Sequence, residues 1–138
     1  MITLAEVREA IRKAVEDKGR DFRYNPTGHA YCEYIPLLNA PEGDPRRTTG
    51  CLVGAALASL GVDLAGWGAS IRDEMEWHRT EVASEDYEQV RDYLAVAQKW
   101  QDEGGTWGEA YDRAEERFRT GVTPPGKPSL PGQTVLAE

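Results

Sequence analysis

One long apolar run interrupts an otherwise polar chain and extends from Thr49 to Val62. Its residues would cover more than one face of a helix that starts at Thr48 or Thr49 and ends at Gly61, where glycine favours a left-handed end. A helix that is apolar on most sides belongs inside a domain. With about ten residues it is too short to cross a bilayer, which needs roughly twenty. The pattern therefore predicts a buried central helix around which the chain folds.

Two small residues, Gly54 and Ala58, lie four positions apart in this predicted helix. They leave one side without bulky side chains, so a neighbouring backbone can approach it closely. That neighbour is either another part of the same chain or a second copy. The sequence therefore leaves a homodimer open.

Amphipathic patterns flank the central run. Residues 4–15 carry apolar side chains at helical spacing, and Thr3 with Glu6 has the spacing of a capping box. After the central helix, three further helical patterns follow, and the last two are joined by a short glycine link and should form an antiparallel pair. The starts of these three helices are predicted near Ser70, Ser84 and Thr106, and Ser70 with Asp73 and Thr106 with Glu109 have the spacing of further capping boxes.

Aromatic residues before the central run predict two short strands at residues 21–24 and 30–35. The sequence of residues 25–28 suits the turn of a β-hairpin. Residues 39–49 are predicted to form an exposed loop, and the proline- and glycine-rich residues 121–138 a disordered tail. The predicted fold is mainly α (α+β), with about five helices and a small hairpin in a single domain at residues 1–120.

Charge and composition narrow the function classes. The formal charge of −8 argues against binding to nucleic acid or to an anionic membrane. No basic segment followed by an apolar one opens the sequence, so we expect a cytoplasmic protein. In that reducing compartment the two cysteines, Cys32 and Cys51, are expected to be free and buried thiols.

Several short motifs together resemble a known group of proteins. They are Cys32-x-Tyr34, Gly50-Cys51-Leu52-Val53-Gly54 and the later Leu60-Gly61-Val62. This pattern is similar to that of small uncharacterised proteins encoded by phages and by actinobacterial genomes. The resemblance implies a phage or prophage accessory protein, a class in which many members bind host factors. It assigns no activity and no site residues.

A possible catalytic group is Cys51, because a helix N-terminus stabilises a thiolate. The segment after it also resembles the nucleophile turn of NlpC/P60-type cysteine peptidases, which place a base histidine on a downstream strand. The downstream histidine here, His78, falls in a predicted helix. A cysteine hydrolase with Cys51 and His78 is therefore kept only as an alternative to a structural role.

A second possible site is the segment Arg46-Arg47-Thr48-Thr49-Gly50, which precedes the central helix. Two guanidinium groups, two hydroxyls and free backbone N–H groups there would suit a phosphate or nucleotide. The alternative is a solvated loop with ordinary helix caps. The glycine and lysine pattern of a P-loop is missing.

Metal and cofactor sites are not predicted. His29, Cys32, Cys51 and His78 could supply nitrogen and sulfur ligands, but their spacing matches no zinc motif. The leading hypothesis is a non-enzymatic binding protein that engages a host protein or a small ligand through residues 22–50. The alternatives are a binder of phosphate or nucleotide at Arg46 to Cys51, and the cysteine hydrolase.

Overall fold

A computed structural model describes residues 1–25 and 32–123 of the chain. Within these residues the chain is mainly helical, as the sequence predicts. Three short 3₁₀ turns, at Pro45–Arg47, Arg79–Glu81 and Ser84–Asp86, lie between the α-helices. The α-helices are α1 (Leu4–Lys18), α2 (Leu52–Ser59), α3 (Ile71–Trp77), α4 (Tyr87–Asp102) and α5 (Trp107–Thr120).

The central helix is α2, and it is buried between its neighbours. Its side chains Leu52, Val53, Ala56 and Leu57 are almost fully enclosed, and it packs against α1 and α4. The helix ends as the sequence predicts: Gly61 takes a positive φ of 84°. The Val62 N–H then bonds to the Leu57 carbonyl at 3.1 Å, which is the Schellman arrangement. Its start differs from the prediction, because the N-cap is Cys51 and not a threonine.

The smooth side of α2 is covered by the chain itself. A Cβ atom at Gly50 or Gly54 would overlap the backbone carbonyl oxygen of Tyr34. The segment around Tyr34 therefore crosses α2 where these two glycines leave room. Ala58, the other small residue of the predicted pair, is exposed.

The predicted β-hairpin is wrong. The described residues form no strand, and their single bridge joins Ile2 to Val82. The two aromatic segments bond to other partners: the Phe22 carbonyl accepts the Trp107 N–H at 2.8 Å, and the Glu33 carbonyl accepts the Cys51 N–H at 2.8 Å. Their backbones thus cap helices and do not pair with each other. The predicted turn beyond residue 25 and the start of the second strand lie outside the described residues.

The prediction of free thiols is also wrong, since Cys32 and Cys51 form a disulfide. The crossing of α2 by residues 32–34 brings the two Cα atoms to 5.6 Å, within the usual range for a disulfide. The sequence argument concerned the redox compartment and contained nothing about this contact.

Helices α4 and α5 form the antiparallel pair that the sequence predicts. Contacts between them run in opposite directions along the chain: Gln101 meets Trp107 at one end, and Asp92 meets Arg117 at the other. Among the described residues no helix is both long and apolar enough to cross a membrane. Of the predicted tail, residues 124–138 lie outside the described residues.

Candidate functional site

A loop at residues 35–48 stands out from the helical body because it is ordered without regular strands. We call it the binding loop, after the role that we propose for it. Its neck is closed by a hydrogen bond from the Leu37 N–H to the Arg46 carbonyl at 2.7 Å. Inside the neck, Asp44 caps the short 3₁₀ turn through the Arg46 N–H at 2.9 Å. The loop is thus held by its own hydrogen bonds.

The binding loop carries two large apolar side chains that face solvent. Ile35 is 53% exposed and Leu38 is 79% exposed. Apolar side chains this exposed are ordinary when they stand alone. Here both lie on one ordered loop, three positions apart.

An open cleft of about 530 Å³ lies beside this loop. Phe22 supplies its aromatic wall, and the remaining lining comes from residues 42–48. Ligand pockets for small molecules are usually lined mainly by apolar and aromatic groups. The cleft is open to solvent, and four of its seven lining residues are polar or charged, so it suits a contact surface better than an enclosed ligand site. The lining residues are Phe22, Glu42, Gly43, Asp44, Pro45, Arg47 and Thr48.

The two arginines of the predicted anion site have different surroundings. Arg46 is engaged by Asp44 through both ends of the carboxylate, at 3.1 Å and 2.7 Å. The hydrogen bonds to Arg46 lower the pKa of the Asp44 carboxyl and keep it charged. Arg47 is exposed, and its guanidinium makes no hydrogen bond or ion pair within the described parts of the chain. Of these two arginines, only Arg47 is therefore available for a ligand.

Two of the backbone N–H groups at the start of α2, those of Cys51 and Leu52, are already in use. The Cys51 N–H donates to the Glu33 carbonyl at 2.8 Å. The Leu52 N–H donates to Gln101 Oε1 at 2.7 Å. Thr49 is buried, and its hydroxyl donates to the Gly50 carbonyl at 2.9 Å. The structure thus brings together Arg47 and Thr48 at the cleft, and encloses Thr49, Gly50 and the start of the helix.

The residues of the alternative cysteine site lie in separate environments. Cys51 is fully buried and disulfide-bonded, so it carries no thiolate. His78 lies between two carboxylates, with Nδ1 at 2.8 Å from Glu81 and Nε2 at 3.7 Å from Glu74. Its ring stacks on Trp67 at 4.5 Å. Neither residue has the neighbour that a cysteine–histidine pair requires.

Buried amides on α4 are the polar residues that sequence reasoning gave no role. Gln98 and Gln101 are almost fully buried, three residues apart on one face of the helix. Gln98 Oε1 accepts the Ile71 N–H at 3.0 Å, and Gln101 Oε1 accepts the Leu52 N–H. The signal that could have found them is a glutamine on the apolar stripe of a helix, where a polar group needs a partner.

Asp102 follows these amides at the end of α4. Burial raises the pKa of its carboxyl to about 6. Its Oδ1 accepts the Gln101 side-chain N–H at 2.8 Å. This carboxyl therefore belongs to the same polar network, and a role for it as an acid or base would need a substrate-sized opening beside it.

Metal binding and similarity to known proteins give no further lead. Across residues 1–25 and 32–123, no three histidine, cysteine or acidic side chains are grouped to hold a metal ion. His29 lies outside those residues. No protein-family model, curated protein or solved structure matches the chain. The site is therefore judged on its own geometry.

Proposed function

We propose that this chain is a non-enzymatic binding protein of the phage accessory type, which engages a host protein in the cytoplasm through the binding loop. The observation that carries the proposal is the exposure of Leu38 on an ordered loop that also holds the unpaired Arg47. Interfaces combine apolar contacts at their centre with arginines that find partners across the contact.

The order of the loop supports binding. A loop that is fixed before association loses little conformational freedom when it docks. The bond from Leu37 to Arg46 and the cap by Asp44 supply that order. The loop therefore presents Ile35, Leu38 and Arg47 in a defined arrangement.

A small anionic ligand is the second candidate, and Arg47 with Thr48 beside the cleft favours it. It ranks lower for two reasons. Arg46 is held by Asp44, and the N–H groups of Cys51 and Leu52 already have acceptors. A cysteine hydrolase ranks last, since the sulfur of Cys51 is bonded to Cys32.

The test uses the double variant Leu38→Ser with Arg47→Ser as bait in affinity capture from an actinobacterial host lysate. Trp77→Ser is the matched control, because Trp77 is 69% exposed and belongs to α3 and not to the binding loop. We expect a host protein to be captured equally by the wild type and the control, and about 10-fold less by the loop variant, a loss of about 1.4 kcal/mol. Capture that is absent, or equal for all three baits, contradicts the proposal.

A second measurement separates the small-ligand candidate. Thermal melting is followed with inorganic phosphate and with ATP, for the wild type and for Arg47→Ser. A ligand that binds the folded state raises the melting temperature. A rise that Arg47→Ser removes would replace the host-protein proposal with the anion site.

A further inference from the structure

The disulfide joins two sulfur atoms whose surroundings are unequal. Cys51 is fully buried, whereas Cys32 is only partly buried. The chain has two cysteines in all, so no third thiol of the chain can exchange with this bond. Gln98 Nε2 contacts Cys32 Sγ at 3.4 Å on one side. Because protein atoms close off Cys51, an external thiolate reaches the bond from the side of Cys32.

The position of Cys51 also favours it as the leaving group. Cys51 is the N-cap residue of α2, and its bonded sulfur makes no capping hydrogen bond. Side chains at an N-cap accept N–H groups from the second or third helical residue, which here are Val53 and Gly54. A thiolate released at this position gains those donors and the positive end of the helix dipole.

We propose that Cys32 and Cys51 form a reversible thiol–disulfide couple, in which a small external thiol attacks Cys32 and Cys51 leaves. The attacking thiolate bonds to Cys32 Sγ, the bond between the two cysteines breaks, and its electron pair leaves on Cys51 Sγ. A second external thiol then attacks the external sulfur of the mixed disulfide and releases Cys32, which takes the second thiol's proton. Cys51 takes the proton of the first thiol, so two external thiols are oxidised to one disulfide and the chain gains two thiols.

The helices do not need this bond to stay in place. The Glu33 carbonyl still accepts the Cys51 N–H at 2.8 Å, and the Tyr24 hydroxyl still accepts the Glu33 N–H at 3.0 Å. Tyr34 is held separately, because its hydroxyl donates to the Ala69 carbonyl at 2.7 Å. Reduction therefore removes the covalent closure of residues 33–50 and leaves the helical body folded.

The loosened segment contains the binding loop, so the couple would regulate the same surface that the proposed function uses. Its test does not depend on a binding partner. Failure of the couple would leave the binding proposal intact, and failure of partner capture would leave the couple intact.

The first experiment follows exchange on the folded full-length chain. The protein is equilibrated in glutathione buffers of graded potential, quenched with acid, alkylated and mapped by mass spectrometry. We expect full and reversible conversion between the disulfide and two thiols, with the transient glutathione adduct on Cys32. An adduct mainly on Cys51, or reduction only under denaturing conditions, would overturn the proposal.

A second experiment measures what the bond holds, with the double variant Cys32→Ser and Cys51→Ser. We expect an unchanged helical circular dichroism spectrum and a melting temperature lower by about 10 °C, as for loss of a loop of this size. Amide hydrogen exchange should rise at least about 10-fold within residues 35–48 and stay unchanged in α4 and α5. The control is dithiothreitol, which should reproduce these changes in the wild type and do nothing to the variant. Loss of helical structure, or equal exchange in both proteins, would refute the proposed switch.

Discussion

Helices α1 and α5 have a complete capping box in their own first turn, whereas the N-cap residue of α2, Cys51, makes no side-chain cap. Thr3 and Glu6 form a complete capping box on α1, and Thr106 and Glu109 form another on α5. The start of α2 depends on a side-chain oxygen of α4, Gln101 Oε1, which lies 49 residues away in sequence. The start of α3 has both kinds of cap, since Ser70 accepts the Asp73 N–H and Gln98, 27 residues away, accepts the Ile71 N–H. The two kinds of cap meet the same backbone requirement, since the first N–H groups of any helix lack internal partners.

For α1 and α2, the difference follows from what lies around each helix start. The hydrogen bonds of the Thr3 box are exposed, so short side chains with water nearby are sufficient there. The start of α2 is enclosed, and Tyr34 passes over it. A long amide from a neighbouring helix can reach such a place. Its other end must also be satisfied, and Gln101 Nε2 donates to Asp102 while Gln98 Nε2 donates to the Tyr34 hydroxyl.

The substitution Gly54→Ala should have the largest effect, because it breaks the enclosed region at its tightest point. The added Cβ would overlap the Tyr34 carbonyl, and overpacking of this kind costs about 3 kcal/mol or more where the neighbour cannot retreat. Tyr34 is fixed by its hydrogen bond to Ala69. Urea unfolding followed by circular dichroism measures the loss.

The matched control for this variant is Gly68→Ala. Gly68 has open space where a Cβ would lie and no positive φ. Its free energy of unfolding should change by no more than about 0.5 kcal/mol, or rise slightly. Equal losses for the two variants would show that the contact with Tyr34 does not limit this position.

The substitution Gln101→Met should come next, because it removes the remote cap while keeping similar volume. Gln101 Oε1 accepts both the Leu52 N–H and the Trp107 Nε1–H, at 2.7 Å and 3.2 Å. Each buried donor left without a partner costs about 1–3 kcal/mol, so we expect a loss of about 3 kcal/mol by urea unfolding. If the loss does not exceed that of Thr106→Ala, the remote cap is no stronger than a local one.

The sequence predicts the local contacts of this fold and misses the contacts between distant segments. The α-helices, the capping boxes of α1 and α5 and the glycine end of α2 depend on residues within one or two turns of each other, and these predictions are confirmed. The remote amide caps, the contact of Tyr34 with Gly54 and the disulfide depend on folding of distant segments together. The hairpin was wrong because aromatic residues also suit irregular segments that pack across helices.

At the candidate site, too, the local contacts could be predicted from the sequence and the long-range contacts could not. A loop at residues 39–49 was predictable from prolines and glycines, but its exposure is only partial, because Ala40 and Thr49 are buried. Capture of Arg46 by Asp44 is local and could have been read from their spacing of two residues. The hydrogen bonds of the Cys51 and Leu52 N–H groups to Glu33 and Gln101 could not have been predicted, since both acceptors come from elsewhere in the fold.

The substitution Asp102→Asn tests whether the remote network carries an electrostatic cost. Burial raises the pKa of Asp102 to about 6. Between about pH 4 and pH 6 the folded state therefore still holds the proton of this carboxyl, whereas the unfolded state has released it. Stability contributed by this group is therefore present at low pH and lost as the pH rises through 6. The variant keeps an oxygen for the Gln101 amide and should be more stable than the wild type by about 1–2 kcal/mol at pH 7.5, and equal at pH 4.

Asp92 on the same helix provides the opposite control. Burial raises the pKa of its carboxyl. Contacts with Arg91, Arg72 and Arg117 lower the pKa by more than burial raises it, so the net pKa lies below the ordinary value. Asp92→Asn should therefore lose stability at neutral pH. Chemical unfolding of both variants at pH 4 and pH 7.5 checks the two signs. A gain for both, or a loss for both, would rule out this assignment of the charges.

The smallest effect is expected at the exposed local cap, with Thr3→Ala. Removal of the hydroxyl that accepts the Glu6 N–H costs about 1 kcal/mol at a typical helix N-cap. Water can replace this acceptor at an exposed site, whereas it cannot enter beside Leu52, which is fully buried. Thr3→Ser retains the hydroxyl and should stay near the wild type in thermal unfolding. If Thr3→Ala were as damaging as Gln101→Met, burial would not be what separates the two kinds of cap.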